Sequence, residues 1–318
     1  MQGRVQEGEE MLIEYRLDEK IDKVQQSIDR IRFAYETSIS RGLGPLYVCF
    51  SGGKDSTVIA ELAKRAGVPY ELHYNITGID PPEVVYFMRR HYPELHWDMY
   101  EKSMWRLIVE KHMPPTRIVR YCCAELKEKG GKDRISVTGV RWAESTRRKA
   151  SRATFENVAL KKEERMLFND NEESRRMIET CMLKSKIICN PIIDWEDSDV
   201  WEFIKGENLP YCSLYDEGRT RIGCIGCPMQ GPAGMKQNFE QYPKFKDLYI
   251  KAFDRMLENM DGEKWKSGEE VFDWWTSETP KKLILPGQLE MSDYEQGRRN
   301  ETKRWHKTKI QVGAHIIT

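Results

Sequence analysis

The sequence has 318 residues, enough for one large or two small domains and for a core that needs no disulfides. Lys plus Arg and Asp plus Glu number 51 each, so no global charge draws the chain to nucleic acid or to an anionic membrane. No stretch is apolar for long enough to span a bilayer, and the polar, acidic residues Met1 to Glu10 do not read as a secretory leader. Eight cysteines on such a chain point to a reducing compartment, the cytoplasm, where clustered cysteines bind metal more often than they pair.

In chain order, Leu17, Ile21, Val24, Ile28, Ile31 and Tyr35 alternate spacings of four and three and predict an amphipathic helix over 16–41. Arg41-Gly42-Leu43-Gly44-Pro45 ends it, and Leu46-Tyr47-Val48-Cys49-Phe50 reads as a buried strand. Ser51-Gly52-Gly53-Lys54-Asp55-Ser56 follows, opening a helix that reaches Arg65. Strands are expected over 70–76, 95–99, 135–140 and 186–192, with helices over 82–91 and 104–111 and another capped by Asp197 or Ser198. Strands alternating with helices imply an α/β fold, an open and mostly parallel twisted sheet flanked by helices. The expected organisation is an N-terminal helix in 1–44, a nucleotide-binding domain in 45–235 and a helical extension with a basic tail in 236–318. Residues 144–183 are highly charged and weakly periodic, and read as a helical or mobile insertion.

Chemistry gathers first at 51–56. A buried strand, a glycine pair and a helix start make an anion site, because free amides at the helix N-terminus point at the ligand and the helix dipole favours negative charge. Gly52 and Gly53 let the backbone approach phosphate oxygens, Ser51 and Ser56 add hydroxyls, and Lys54 adds charge. Asp55 stands where a Walker A loop needs Ser or Thr after its lysine, so this is a different phosphate loop. Thr77-Gly78 and Arg141 also fall just after predicted strands, the end of a parallel sheet where ligands bind. Arg141 and Arg147 can offer planar, bidentate donors to phosphate or sulfate.

A second cluster is Cys122-Cys123 with Cys224-Ile225-Gly226-Cys227. The C-x-x-C spacing lets two thiolates reach one centre, and four thiolates suit an iron–sulfur cluster or a structural zinc; four small buried side chains are the bland alternative. Arg117, Arg120 and Lys127 surround the first pair and could offset thiolate charge. Cys49 and Cys189 fall in predicted strands, Cys181 in the charged insertion and Cys212 near the C-x-x-C.

Ser51 to Ser56 resembles the PP-loop of the adenine nucleotide α-hydrolase-like proteins, which include ATP pyrophosphatases and phosphoadenosine-phosphosulfate (PAPS) reductases. Thr77-Gly78 with Pro82-Glu83 resembles the DTG…PE segment of the PAPS reductase superfamily, with Ile76 where that family usually has Asp. Thr138-Gly139-Val140-Arg141 with Arg147 resembles its arginine motif, and Asn190-Pro191-Ile192 through Asp199-Val200-Trp201 to Leu214-Tyr215-Asp216 resembles its later signature. The CC…CxxC arrangement is similar to that of cluster-bearing adenylyl-sulfate reductases and of the sulfur-transfer proteins of DNA phosphorothioation.

The resemblance implies a PP-loop, Rossmann-like fold, a [4Fe–4S] cluster on Cys122, Cys123, Cys224 and Cys227, with zinc as the alternative, and ATP or adenylyl sulfate/PAPS as substrate. It implies nucleotide binding by Ser51, Gly52, Gly53, Lys54, Asp55, Ser56, Thr77, Gly78, Gly139 and Arg141, catalytic roles for Lys54, Asp55, Arg141 and Arg147, and magnesium as the companion of ATP. The reductases use a cysteine near their C-terminus as nucleophile, and here no cysteine follows Cys227. The expected function is therefore ATP activation to AMP and pyrophosphate coupled to sulfur transfer. Thiol-dependent reduction to sulfite is the runner-up, and a non-catalytic nucleotide-binding subunit the third reading. A sulfur or electron donor of the cysteine desulfurase, thioredoxin or ferredoxin type is the expected partner; a nucleic-acid acceptor stays open, and no membrane is expected.

Overall fold

The computed structural model describes residues 12–16, 19–158, 166–180, 186–260 and 265–277. Cys181 and the basic tail over 281–318 lie outside them. The apolar run after Pro45 forms β3 (Leu46–Cys49), with Leu46 and Val48 wholly buried. It sits mid-sheet because both of its neighbours run parallel to it: β4 (Tyr70–Asn75) on one side and β6 (Ser136–Val137) on the other. Beyond β4 lies β5 (His96–Asp98), and beyond β6 lies β9 (Lys186–Cys189), both parallel as well. The alternation of strands and helices thus yields the expected mostly parallel α/β sheet. The chain runs from β3 outward through β4 and β5, then returns to build β6 and β9 on the other side. That reversal opens a crevice between β3 and β6 at the strands' carboxyl ends.

The charged segment after Arg141 departs from expectation. It holds a 3-10 turn (Trp142–Glu144), α6 (Thr146–Ser151), β7 (Phe155–Val158), β8 (Met166–Phe168) and α7 (Glu172–Thr180). β7 pairs antiparallel with β9, and β8 with β7, so the segment extends the sheet. Its polarity hid this, because Glu156 and Asn157 are buried: Arg152 Nη1 donates to Glu156 Oε2 at 2.8 Å and Asn190 Nδ2 to Oε1 at 2.8 Å. The first helix, α1 (Lys23–Ser40), starts later than its periodicity suggests. Ile13–Asp22 folds instead as a hairpin of β1 (Ile13–Arg16) and β2 (Glu19–Asp22), and Asp22 caps α1 by accepting from Gln25 N–H at 2.9 Å. Glu196, rather than Asp197 or Ser198, caps α8 (Asp197–Gly206) through a reciprocal box with Asp199. The strands expected to reach residues 140 and 192 stop at Val137 and Cys189, where Thr138 and Asn190 turn to side-chain bonding.

Two apolar cores result. One joins the sheet to α1, α2 (Lys54–Ala66), α3 (Pro82–His91) and α8 through residues such as Ile31, Ile59, Met88 and Phe203. The other joins α4 (Met104–Lys111), α5 (Tyr121–Leu126), α9 (Gly231–Gln241), α10 (Pro243–Glu258) and α11 (Gly268–Thr276) around Tyr249, Phe253 and Trp275. Cys224 and Ile225 belong to this second core, as does Ile79 from the loop after β4. Ile225 N–H donates to Ile79 O at 2.7 Å, tying the C-x-x-C segment to the loop after β4 within this core. Among the described residues no helix is long and apolar enough to cross a membrane.

Candidate active site

The loop after β3 turns at Gly52, whose φ of 71° suits glycine and whose absent Cβ would stand 2.6 Å from Val84 Cγ1. Gly53 then starts α2 with no side-chain cap, leaving the first-turn amides to outside acceptors. One is partnered already: Lys54 N–H donates to Tyr215 Oη at 2.9 Å. Ser56 Oγ donates to Gly53 O at 2.7 Å and lies 3.4 Å from Ser51 Oγ. Lys54, 5 % exposed, places Nζ 3.0 Å from Asp197 Oδ1 and donates to Thr220 O at 3.2 Å.

Arg141 closes the far side. Its guanidinium is 2 % exposed and donates to Asp55 Oδ1 at 2.6 Å, Asp197 Oδ1 at 2.9 Å and Trp195 O at 3.2 Å. Burial works against the charge on Arg141, and Asp55 and Asp197 more than restore it. Burial likewise opposes the Asp197 carboxylate, and Lys54 with Arg141 pull its pKa below the ordinary value. Gly139 must be small, because a Cβ there would meet Asp55 Cβ at 3.0 Å and Asp55 O at 3.1 Å. These groups line a cavity of about 580 Å³, a size that suits a nucleotide.

A second cavity, of about 550 Å³, is lined by Cys122, Cys123, Cys224 and Cys227. Six residues line both: Ser51, Asp80, Lys127, Thr220, Arg221 and Ile222. The anion loop and the thiols therefore face each other across a shared wall. The fold brings the cysteines there from two places. α5 presents the adjacent pair, and Gly226 (φ 72°) bends the C-x-x-C against an aromatic floor, where a Cβ would meet Phe239 Cζ at 2.6 Å and Trp275 Cη2 at 3.0 Å. A hydrogen bond from Cys122, then Arg120 and Lys127, pulls the Cys123 thiol down to about 5 against the effect of burial; Arg120 Nη2 lies 3.3 Å from its sulfur. Cys122 moves the other way, through that same bond and burial. Burial, then Asp80, pushes Cys224 up to about 12, and its thiol donates to Asp80 Oδ1 at 3.3 Å. Cys224, then Asp80, raise the Lys127 ammonium above its ordinary value against the effect of burial.

Among the described residues no three His, Cys, Asp or Glu side chains converge as the shell of a single ion does. The four thiols line one cavity, and an all-thiol set fits either an iron–sulfur cluster or a zinc ion.

Not every expected residue joins this arrangement. Arg147 is exposed and lines neither cavity; its neighbour Arg148 does, paired with Glu144. Thr77 lines the thiol cavity rather than the loop cavity, its hydroxyl donating to Asp80 Oδ2, and Gly78 (φ 73°) lines neither. Gly52 is buried behind the loop. Cys49 lines the loop cavity, and Cys189 and Cys212 are buried. Asp80 and Asp197 were not singled out as site residues from the sequence, and Tyr215 stood there only within the Leu214-Tyr215-Asp216 signature. Asp197 read only as a helix cap, and Asp80 carries no local pattern.

Comparison with known proteins places this geometry. An uncharacterized protein of Methanocaldococcus jannaschii is 27% identical over 241 residues, covering 74% of this chain and 54% of its own length. The chain spans about half the length of such relatives, a second from the same organism being covered over 44%. An adenosine 5'-phosphosulfate reductase of Staphylococcus haemolyticus is 25% identical over 226 residues, or 65% of this chain and 78% of that one. The crystal structure of a PAPS reductase from Candida auris, in a phosphate complex, superposes with a TM-score of 0.40 at 18% identity over 63% of this chain and 88% of that one. Residues 45–230, which carry the loop, the arginine and all four clustered cysteines, match the family model of the phosphoadenosine phosphosulfate reductase domain, and the chain belongs to that family.

Proposed function

We propose that this chain is an enzyme of sulfur metabolism that binds ATP at residues 51–56, activates an acceptor with release of pyrophosphate, and couples this to sulfur transfer at the thiol cavity. The observation that carries the reading is the wall shared by the two cavities, with Asp80 and Lys127 facing both. Phosphates would sit on the first-turn amides of α2, with Lys54 and Ser51 beside them and Tyr215 Oη giving up the Lys54 amide. Magnesium would accompany the triphosphate. Arg141, already held by Asp55 and Asp197, is fixed to meet charge as it develops, so little reorganisation accompanies the reaction. Cys122, Cys123, Cys224 and Cys227 would hold a [4Fe–4S] cluster, which would supply one-electron chemistry and a polarisable site for sulfur.

The test is to incubate anaerobically purified protein with ATP and magnesium and assay AMP and pyrophosphate. Wild type should release both, and Lys54→Ala should lose about 100-fold or more, the scale of removing one charge-stabilising group. Neither product from wild type, with a candidate sulfur donor and acceptor mixture present, would sink the reading. A second reading, reduction of adenylyl sulfate with release of sulfite, is favoured by the name of the Staphylococcus relative. Sulfite from adenylyl sulfate plus thioredoxin, with no pyrophosphate from ATP, would establish it instead.

A further inference from the structure

The segment between α4 and α5 forms a tight turn at the mouth of the thiol cavity. Thr116 N–H donates to Val119 O at 3.1 Å, and Val119 N–H to Thr116 Oγ1 at 3.0 Å. Both flanks are anchored. Trp275 Nε1 donates to Pro115 O at 2.6 Å, and Tyr121 Oη to Met113 O at 2.8 Å. The turn therefore holds Arg117 and Ile118 out on a fixed tip, with Ile118 92 % exposed and Val119 42 % exposed. The residues on either side of it, Pro115 and Arg120, line the thiol cavity, as does Met229, itself 42 % exposed. A lone exposed apolar residue needs no explanation, but two on a turn bracketed by cavity-lining residues, with a third in the cavity wall, do.

The charge that lines the cavity beside them is mostly positive. Arg120, Lys127, Arg219 and Arg221 line the cavity against a single acid, Asp80, which Tyr74, Thr77 and Cys224 already engage. Exposed Arg117 adds to the rim. Of the acids on and after α5, Glu125 pairs with Lys129 at 2.5 Å and Glu128 is exposed. Arg120 joins this rim to the interior, through its contact with Cys123.

The geometry points to a docking surface, made by the 116–120 turn and Met229, for a small acidic electron-carrier protein. This rests on the reading that the four thiols hold a redox group. An apolar centre inside a basic rim is the pattern of a protein interface with complementary charge. Electron-transfer partners meet in transient encounters that bury under about 1,200 Å², so a patch of a few residues suffices. A nucleic acid would use the arginines and leave Ile118 without a role.

The experiment is calorimetric titration of the full chain, purified anaerobically, with a plant-type [2Fe–2S] ferredoxin as the acidic probe. Binding should weaken about tenfold or more between about 20 and 200 mM salt, because the attraction is between exposed charges. Ile118→Asp and Arg117→Glu should each weaken it about fivefold or more, with the melting temperature and ATP affinity of the wild type. No ferredoxin binding, binding indifferent to both substitutions, or binding indifferent to salt overturns the surface. So does a single-stranded oligonucleotide that binds while ferredoxin does not. Ferredoxin binding that follows the expected pattern in a protein with no affinity for ATP keeps the surface and removes the nucleotide reading, so the two failures are distinct.

Discussion

Arg141 is the residue on which the loop side of the site depends. Its three contacts use two carboxylates and a carbonyl, so truncation leaves the Trp195 oxygen without its donor and Asp55 and Asp197 with Lys54 alone. Arg141→Ala should cost about 1–3 kcal/mol in urea denaturation, the scale for leaving a buried acceptor unmet. Arg141→Lys keeps the charge, loses the planar fork and should fall between wild type and Ala. Gly226 has the same weight on the thiol side. Ala there must hold a left-handed backbone and push Phe239 and Trp275 apart, so Gly226→Ala should lose about 2 kcal/mol or more in the same assay. It should also loosen the C-x-x-C, read as faster alkylation of Cys227. These two positions differ in legibility. Gly226 was visible because C-x-x-C is a local pattern. The partners of Arg141 were not, because Asp55 and Asp197 meet it from distant parts of the chain.

At the scale of elements, α1 is tied to the sheet edge by a charge. Arg30, 3 % exposed on the buried face of α1, donates to Asp194 at 2.8 and 2.9 Å, to Asp170 at 2.9 Å and to Pro191 O at 2.8 Å. Burial raises the pKa of Asp170, but Arg30 and then Arg175 outweigh it, and the net shift is downward. A carboxylate with a lowered folded-state pKa adds stability above its ordinary value of 3.8 and loses it as pH falls through the folded value. Asp170→Asn should therefore be less stable than wild type by about 2 kcal/mol at neutral pH, with the gap closing below about pH 4. Thermal melts across that range decide it. The central strands and the loop after β3 were legible because their apolar runs and glycines are contiguous. β7 was not, since a wholly buried Glu156 reads as surface until Arg152 and Asn190 are seen beside it. The β1–β2 hairpin was masked because Ile21 fits the helical spacing of α1 equally well.

At the scale of the molecule, two cores meet at one crevice, and neither cavity can be described without the other. The family match covers 45–230, yet the aromatic floor under Cys224 and Cys227 comes from α9, α10 and α11, beyond that range. Truncation after Gln230 should therefore expose Ile225 and release the C-x-x-C, and limited proteolysis would show new cleavage around 218–230.

The wall common to the two cavities has a thermodynamic meaning. Lys127 and Asp80 touch both spaces, so any ligand or charge that alters them on one side changes the work of binding on the other. Such coupling is reciprocal: a change at the thiols that alters nucleotide affinity by some factor must be answered by an equal factor when the nucleotide binds first. Lys127→Met should flatten that dependence, seen as nucleotide affinity that no longer differs between protein with free thiols and protein with the thiols alkylated. With Lys127 in place, the state of the thiols would be felt at the nucleotide site without any moving part.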